Sequence, residues 1–509
     1  MEPVGHRPAV AGRALEDLVT RDRLWTLLAV LLPVLGATIA PLSTIDLAYQ
    51  VRVGDLMRAS GFVLSTDPLT FTAAGQPWLN QQWGAGVLLS LGYSAGGWAG
   101  LALLRALLVG LAVGLVFWTV RRWLPVRPAA LLALGAFVVG IGALALRAQL
   151  FGIVCFVLVT ALLAGRRERP RLAFLVPVVV LAWANLHGSF FLGVAAATLA
   201  FLVDARAPTP IMRRSLAILV LTVVASIVTP FGPGAWSYAA GLSTNGDVAR
   251  LVSEWQRTNP LSFAGGLFYL SVLLAIPVLG AARRRERWLP PAAGLLWLGG
   301  LVVVGAWAER GIAWWAFGAP AVVGPILARL RGDGTEAVPP RSARPEPRAL
   351  RRLNLGIVLA LVALVVLLQP AWRSSVALAG PDGLLTDAPV GLASTMRADG
   401  TPSDRAVVPQ RWASWLEWAA PGIPVMVDSR IEVVPPSAWA DYLAIAAGGP
   451  ESLQALARTR ASLVVVDRRE QGALLHALQA PDSGWRVVAE DADGAMFRSR
   501  SAGTAEIGQ

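Results

Sequence analysis

The chain is poor in charge, in histidine and above all in cysteine, and each shortage excludes something. The single cysteine, Cys155, lies inside an apolar run, which excludes an intrachain disulfide and any cysteine-based metal cluster. Only 15% of the residues are charged, where soluble domains carry about 25%. With 55% hydrophobic residues and a mean hydropathy of +0.58, the 509-residue chain is too apolar for a soluble protein. Phosphate-binding glycine-rich loops, HExxH, zinc-ligand patterns and GxSxG are all missing. The three histidines are His6 in the N-terminal tail, His476 in an expected soluble helix, and His187 at the end of an apolar run. His187 reads first as a packing residue, the commoner role of a lone histidine at a membrane boundary, and second as part of a site.

What is present is a series of apolar runs of about 17–20 residues, the mark of a polytopic membrane protein. The net charge of +12 does not imply nucleic acid. The basic residues are all arginines, and they cluster in short loops between the runs, as the positive-inside rule requires. The first run follows several arginines and is too long for a signal-peptide core, so it reads as a retained anchor, although ATIA before Pro41 has a cleavage-like pattern. The expected order is a cytoplasmic tail over 1–23 and a transmembrane domain over 24–370, with a first outer loop at 44–82. An extracytoplasmic domain over 371–509 follows. Eleven spans are expected, near 24–43, 99–120, 128–146, 149–165, 172–187, 188–203, 215–230, 262–281, 288–308, 311–328 and 353–369. Residues 83–96, broken by glycines, read as a short interfacial helix, and the Pro- and Arg-rich stretch 329–352 as a flexible cytoplasmic linker. This assignment places the arginine clusters on one side and the C-terminus outside. The lipid bilayer is thus the first partner.

The polar stretch 46–83, DLAYQVRVGDLMRASGFVLSTDPLTFTAAGQPWLNQQW, is the candidate functional segment. It opens on Asp46, where the chain would leave the membrane. A carboxylate at that depth is costly unless it faces a wet cavity or caps a helix. Other ionisable groups fall at the outer ends of the runs: Arg52, Asp55, Asp67, Arg147, His187, Glu254, Glu309 and Arg310. Their clustering points to an outward-facing polar cavity. In 371–509, PVMVDSR and SLVVVDRR are β-branched runs ending in Asp428 and Asp467, with helical patterns around them. That predicts a small α/β domain with a partly parallel sheet, each aspartate capping a following helix or lying at a ligand-binding strand end.

Several ordered segments together resemble a bacterial family of polytopic membrane proteins related to the GT-C glycosyltransferases. They are DLAYQVRVGDLM, TDPLTFT and PWLNQQW, then RAQLF (147–151), WANLHGSFFLG (183–193), TPFGPGAWSY, SEW (253–255) and DSRIEVVPPSAWADY (428–442). The resemblance covers about 24–500. It implies a GT-C-like α-helical membrane domain with a C-terminal extracytoplasmic α/β domain. It also implies transfer of a sugar from a polyprenyl-phosphate carrier to an extracytoplasmic glycan, lipid or protein in the bacterial cell envelope. Enzymes of the wider superfamily carry an essential acid in the first outer loop, and Asp46 holds that place, with Asp67 as a second candidate catalytic carboxylate. The usual Asp-Glu or Asp-Asp pair is absent, because Leu47 follows Asp46. Gln50, Gln81 and Gln82 stand where some relatives have His, His and Glu, which weakens any metal site and leaves a divalent metal an open question.

Candidate substrate-binding residues are Gln50, Arg52, Gln81, Gln82, Trp83, Arg105, Arg147, Gln149, Asn185, His187, Glu254 and Arg310. Arginine suits the donor phosphate because its planar fork makes bidentate charge-assisted contacts. Bland roles stand beside these. Arg105 can snorkel, Arg310 can pair with Glu309, Asp67 before Pro68 suits a turn, and Trp78 and Trp83 suit interface anchoring. The alternative to an enzyme is a non-catalytic GT-C-like scaffold or a transporter in envelope polysaccharide assembly. Against a transporter, the sequence shows no internal repeat and no matched pair of broken helices.

Overall fold

The structure, a computed structural model, describes residues 19–246, 250, 252–285, 291–332 and 346–500. The tail arginines Arg7 and Arg13, His6, Arg287, most of the linker (333–345) and residues 501–509 lie outside the described residues. The chain divides into two compact units. One is Met1–Ala40, Ala102–Trp236 and Val252–Trp372; the other is Pro41–Leu101, Ser237–Leu251 and Arg373–Gln509.

The first unit is a helical bundle. Its opening helix, Arg21–Ile39, starts at Thr20, whose hydroxyl accepts from the Arg23 N–H at 3.4 Å. It packs against Arg348–Leu367 and Val126–Gly140. Gly110 permits close approach to the opening helix, since a Cβ there would lie 2.6 Å from a Val34 methyl. Phe156 holds the centre of another layer, stacked on Trp297 at 5.7 Å and meeting Trp183 and Trp314 edge-on. The outward faces stay apolar: Leu353, Leu359, Leu364 and Leu367 of the last helix are all exposed. Such a surface is stable only in lipid.

Among the described residues, six helices are long and apolar enough to cross a membrane, or seven if a bent pair counts as one. The bent pair is Glu309–Gly318 with Pro320–Leu330, at 42°. Pro320 opens its second half, at a position where proline lacks no needed donor. Four more apolar helices are shorter. The protein is a multi-pass membrane protein. The helix Trp83–Val120 is broken at Gly96 and Gly97; Gly97 has φ 56°, which favours glycine.

The second unit joins the segment after the opening helix to the C-terminal residues. Leu42–Ser43 pairs in parallel with Leu385–Thr386. The helix Leu47–Ser60 follows, ends on Gly61 at φ 75°, and packs on Gln410–Ala419. A hairpin near 66–77 bridges Thr70 to Val425. Trp98 meets Trp418 at 4.9 Å and donates its indole N–H to the Leu378 carbonyl at 3.0 Å. The loop 44–82, grouped in the sequence reading with the spans, therefore packs with residues 373–509, because its apolar side chains Leu47 and Val51 are buried there.

The sheet of this unit runs Ala406–Val407, Leu463–Asp467, Gly494–Ser499, Trp485–Glu490. Its first pair is parallel and the others antiparallel. The segment expected as a strand at 424–428 contributes only isolated bridges from Val425. Asp428 and Asp467 do not cap helices. Each accepts a backbone N–H two residues on, from Arg430 and Arg469 at 2.7 and 2.8 Å, which closes a turn.

Candidate functional site

In the bundle, the sequence candidates at the ends of apolar runs come together. Arg147 precedes the helix Ala148–Ala164, and its Nη2 donates to Glu254 Oε2 at 2.6 Å and to Gln149 Oε1 at 3.1 Å. Gln149 Nε2 donates to the Arg310 carbonyl at 3.1 Å. The Arg310 guanidinium lies over the Trp255 ring, 4.6 Å from its centre. Arg147, Glu254, Glu309 and Arg310 line a cavity of about 40 Å³, which accommodates water or a small oxyanion group. Burial works to raise the Glu254 carboxyl, but Arg147 and Arg310 outweigh it and hold it below the usual range.

His187 sits beside this group. Its Nδ1 accepts the Ser189 N–H at 3.2 Å, which leaves Nε2 to carry the proton of the neutral ring. The cluster thus offers two guanidiniums, the carboxylates of Glu254 and Glu309, one amide and a neutral imidazole. It can bind a phosphate or diester oxygen by charge-assisted hydrogen bonds.

The second unit holds the outer-loop candidates. Asp46 occupies the N-cap position of Leu47–Ser60, half-buried, and its side chain makes no capping hydrogen bond. Gln50 Nε2 donates to Gln82 Oε1 at 3.0 Å and to the Tyr49 hydroxyl at 3.4 Å. Gln81 is buried, with its Nε2 lacking a hydrogen-bond partner among the described residues. Trp83 packs against the cluster of Tyr49, Val53, Met57, Leu69 and Trp78. Burial, then the Asp46 carboxylate, pushes the Tyr49 phenol far above its usual value.

Three candidates have other work. Asp67 was a candidate catalytic acid, but it is 3% exposed and its oxygens are occupied. They accept from the Leu69 and Thr70 N–H groups at 3.2 and 3.0 Å, and Oδ1 pairs with Arg430 at 2.8 Å. A carboxylate so engaged holds a turn. Arg105 was a candidate phosphate ligand, but its guanidinium donates to the Ala37 and Ala40 carbonyls at the end of Arg21–Ile39, where a cation complements the helix dipole. Asn185 donates to the Leu181 and Val228 carbonyls at 2.9 and 3.0 Å, tying two helix ends. Arg52 is half-buried on the helix after Asp46.

Sequence reasoning missed Arg430, Glu417, Glu432, Tyr238 and Ser414. Arg430 is the buried cation between Asp67 and Asp428, and lies 4.5 Å from the Trp78 ring centre. Burial, then Asp428, pushes Glu417 well above the usual carboxylate range, so it is a neutral acid. Tyr238 donates to Glu432 Oε1 at 2.6 Å. Three of them lie in segments that carried the family resemblance, Arg430 and Glu432 in DSRIEVVPPSAWADY and Tyr238 at the end of TPFGPGAWSY, but none was read as a site residue. Among the described residues no three His, Cys, Asp or Glu side chains are grouped to hold a metal ion.

No protein-family model matches the sequence, and no curated protein does. Solved structures do match. The Archaeoglobus fulgidus oligosaccharyltransferase in complex with Zn and sulfate matches with a TM-score of 0.53 at 16% identity, over 94% of this chain and 73% of that one. The archaeal oligosaccharyltransferase AglB of the same organism, in complex with an inhibitory peptide and a dolichol-phosphate, matches with a TM-score of 0.51 at 13% identity, over 92% and 71%. The arabinofuranosyltransferase AftD from Mycobacteria matches with a TM-score of 0.56 at 20% identity, over 94% of this chain and 41% of AftD. These neighbours are glycosyltransferases, and the chain has the GT-C fold that they share.

Proposed function

We propose that this protein is a glycosyltransferase of the bacterial plasma membrane, with its N-terminus cytoplasmic and residues 371–509 outside. It moves a sugar from a polyprenyl-phosphate carrier to an extracytoplasmic glycan, lipid or protein. The observation that carries the reading is the convergence of Arg147, Glu254 and Arg310 on one cavity within a GT-C fold, with Gln149 bonded to both arginines. Two guanidiniums there neutralise the phosphate of the donor, and Glu254 holds the Arg147 fork in place until the phosphate arrives. His187, neutral, adds an Nε2–H donor.

Asp46 is the base. The acceptor hydroxyl oxygen attacks the anomeric carbon and its proton passes to the Asp46 carboxylate. The bond from the anomeric carbon to the phosphate oxygen breaks, and the electron pair leaves with the polyprenyl phosphate. The carboxylate acts on the charge that grows on the attacking oxygen in the transition state.

The test is reconstitution in liposomes with a panel of undecaprenyl-phosphate-linked hexoses and pentoses and a membrane extract as acceptor. Turnover of one of them, with Arg147→Gln and Arg310→Gln each weakening undecaprenyl-phosphate binding, is the expected result. A protein that binds undecaprenyl phosphate and turns over none of the panel is instead the scaffold that the glutamines at 50, 81 and 82 would suit.

A further inference from the structure

The chain on both sides of Asp46 is held by residues from the C-terminal part of the sequence. On the near side, the Leu42 N–H donates to the Leu384 carbonyl at 2.8 Å and the Thr44 N–H to the Thr386 carbonyl at 3.3 Å. The Thr44 hydroxyl donates to the Asp387 carbonyl at 2.8 Å. The Ser414 hydroxyl donates to the carbonyl of Ile45, the residue before Asp46. On the far side, the Arg430 guanidinium lies 5.5 Å from the centre of the Tyr49 ring, in the first turn after Asp46.

Ser414 is fully buried in the helix Gln410–Ala419, where a serine hydroxyl commonly bonds back to its own helix. Here it reaches across to the neighbouring segment. A buried arginine is costly unless its position is fixed by partners. Arg430 is fixed on two sides, by Asp428 through Nε at 2.8 Å and by Asp67 through Nη2 at 2.8 Å. Asp46 follows Ile45 directly and takes φ −102° and ψ −26° at the start of the helix Leu47–Ser60, so a shift of the backbone on either side moves its carboxylate.

We propose that Ser414 and Arg430 are positioning residues for Asp46, Ser414 holding the backbone before that carboxylate and Arg430 the Tyr49 side chain after it. The C-terminal domain is then part of the catalytic apparatus, acting through Asp46 without touching the acceptor. This rests on the reading of Asp46 as the base. A base must lie within hydrogen-bond reach of the proton it takes, and a misplacement of about 1 Å can cost about 10²-fold in rate.

The test is a double-mutant cycle in the liposome transfer assay, with Ser414→Ala, Asp46→Asn and the double variant. Ser414→Ala should lower kcat by about 10-fold to 10²-fold with KM for the lipid-linked sugar unchanged. In the Asp46→Asn background it should cost almost nothing more, because the group it positions is already disabled. Arg430→Lys, which keeps the charge and loses the fork, should behave the same way. Folding is checked by thermal unfolding of each variant. If Asp46→Asn is impaired and folded Ser414→Ala turns over at the wild-type rate, the positioning role is overturned and the base assignment stands. Losses that multiply in the double variant overturn it too. If Asp46→Asn itself transfers at the wild-type rate, the base assignment fails first.

Discussion

Arg430 Nη2 lies 2.8 Å from Asp67 Oδ1, and both side chains are buried. The pair joins the hairpin of the first outer loop to the DSRIE segment near the other end of the chain. Breaking a buried pair from one side leaves an uncompensated charge, at about 3–5 kcal/mol. Arg430→Gln should therefore lower the thermal unfolding midpoint sharply. Asp67→Asn added to Arg430→Gln should cost less than the two singles summed, as thermal unfolding in detergent will measure. Strictly additive losses would show that the two groups do not interact.

Glu417 lies against Asp428, and burial then Asp428 raise its carboxyl well above the ordinary 4.5. A raised acid binds more proton in the folded state. Its contribution is present below pH 4.5 or so and is lost as pH rises through the folded value. Glu417→Gln removes that loss, since the amide stays neutral. The variant should gain in unfolding midpoint relative to wild type as pH rises from 4 to 8. A difference that stays flat across that range contradicts a neutral Glu417.

Arg105 donates to the Ala37 carbonyl at 2.6 Å. Hydrogen bonds from a charged group contribute about 1.5–3 kcal/mol each. Arg105→Gln should lower folded yield and unfolding midpoint while leaving undecaprenyl-phosphate affinity per folded molecule unchanged. Binding that falls with no change in stability would return Arg105 to the donor site.

The arginine distribution predicts an orientation. A reporter fused after Gly165 should read cytoplasmic, and one fused after Ser499 extracytoplasmic. Activity of a cytoplasmic reporter at Ser499 would invert the C-terminal placement.

Much of the bundle cluster is legible in sequence. Arg147, Gln149, His187, Glu254 and Arg310 stand out because polar groups at the ends of apolar runs have few cheap places to go. Their mutual contacts are not legible, because no spacing along the chain says that residue 254 returns to residue 147. The break at Gly96 and Gly97 was visible as paired glycines, and the kink at Pro320 was hidden inside an otherwise apolar run. Asp67 misleads for a physical reason. TDP reads as a turn with a spare carboxylate, and nothing local reveals the arginine that occupies it. Ser414 was invisible, since a lone serine in an amphipathic helix carries no signal until the helix it packs on is known.

Asp46 carries the central claim, and its substitution by asparagine tests it most directly. Asparagine keeps the shape and one acceptor oxygen and loses the negative charge. General-base assistance contributes roughly 10²–10⁴-fold, so the Asp46→Asn rate of transfer from the lipid-linked sugar should fall by about that factor in liposomes, with the unfolding midpoint unchanged. A folded Asp46→Asn protein that transfers at the wild-type rate would contradict the account.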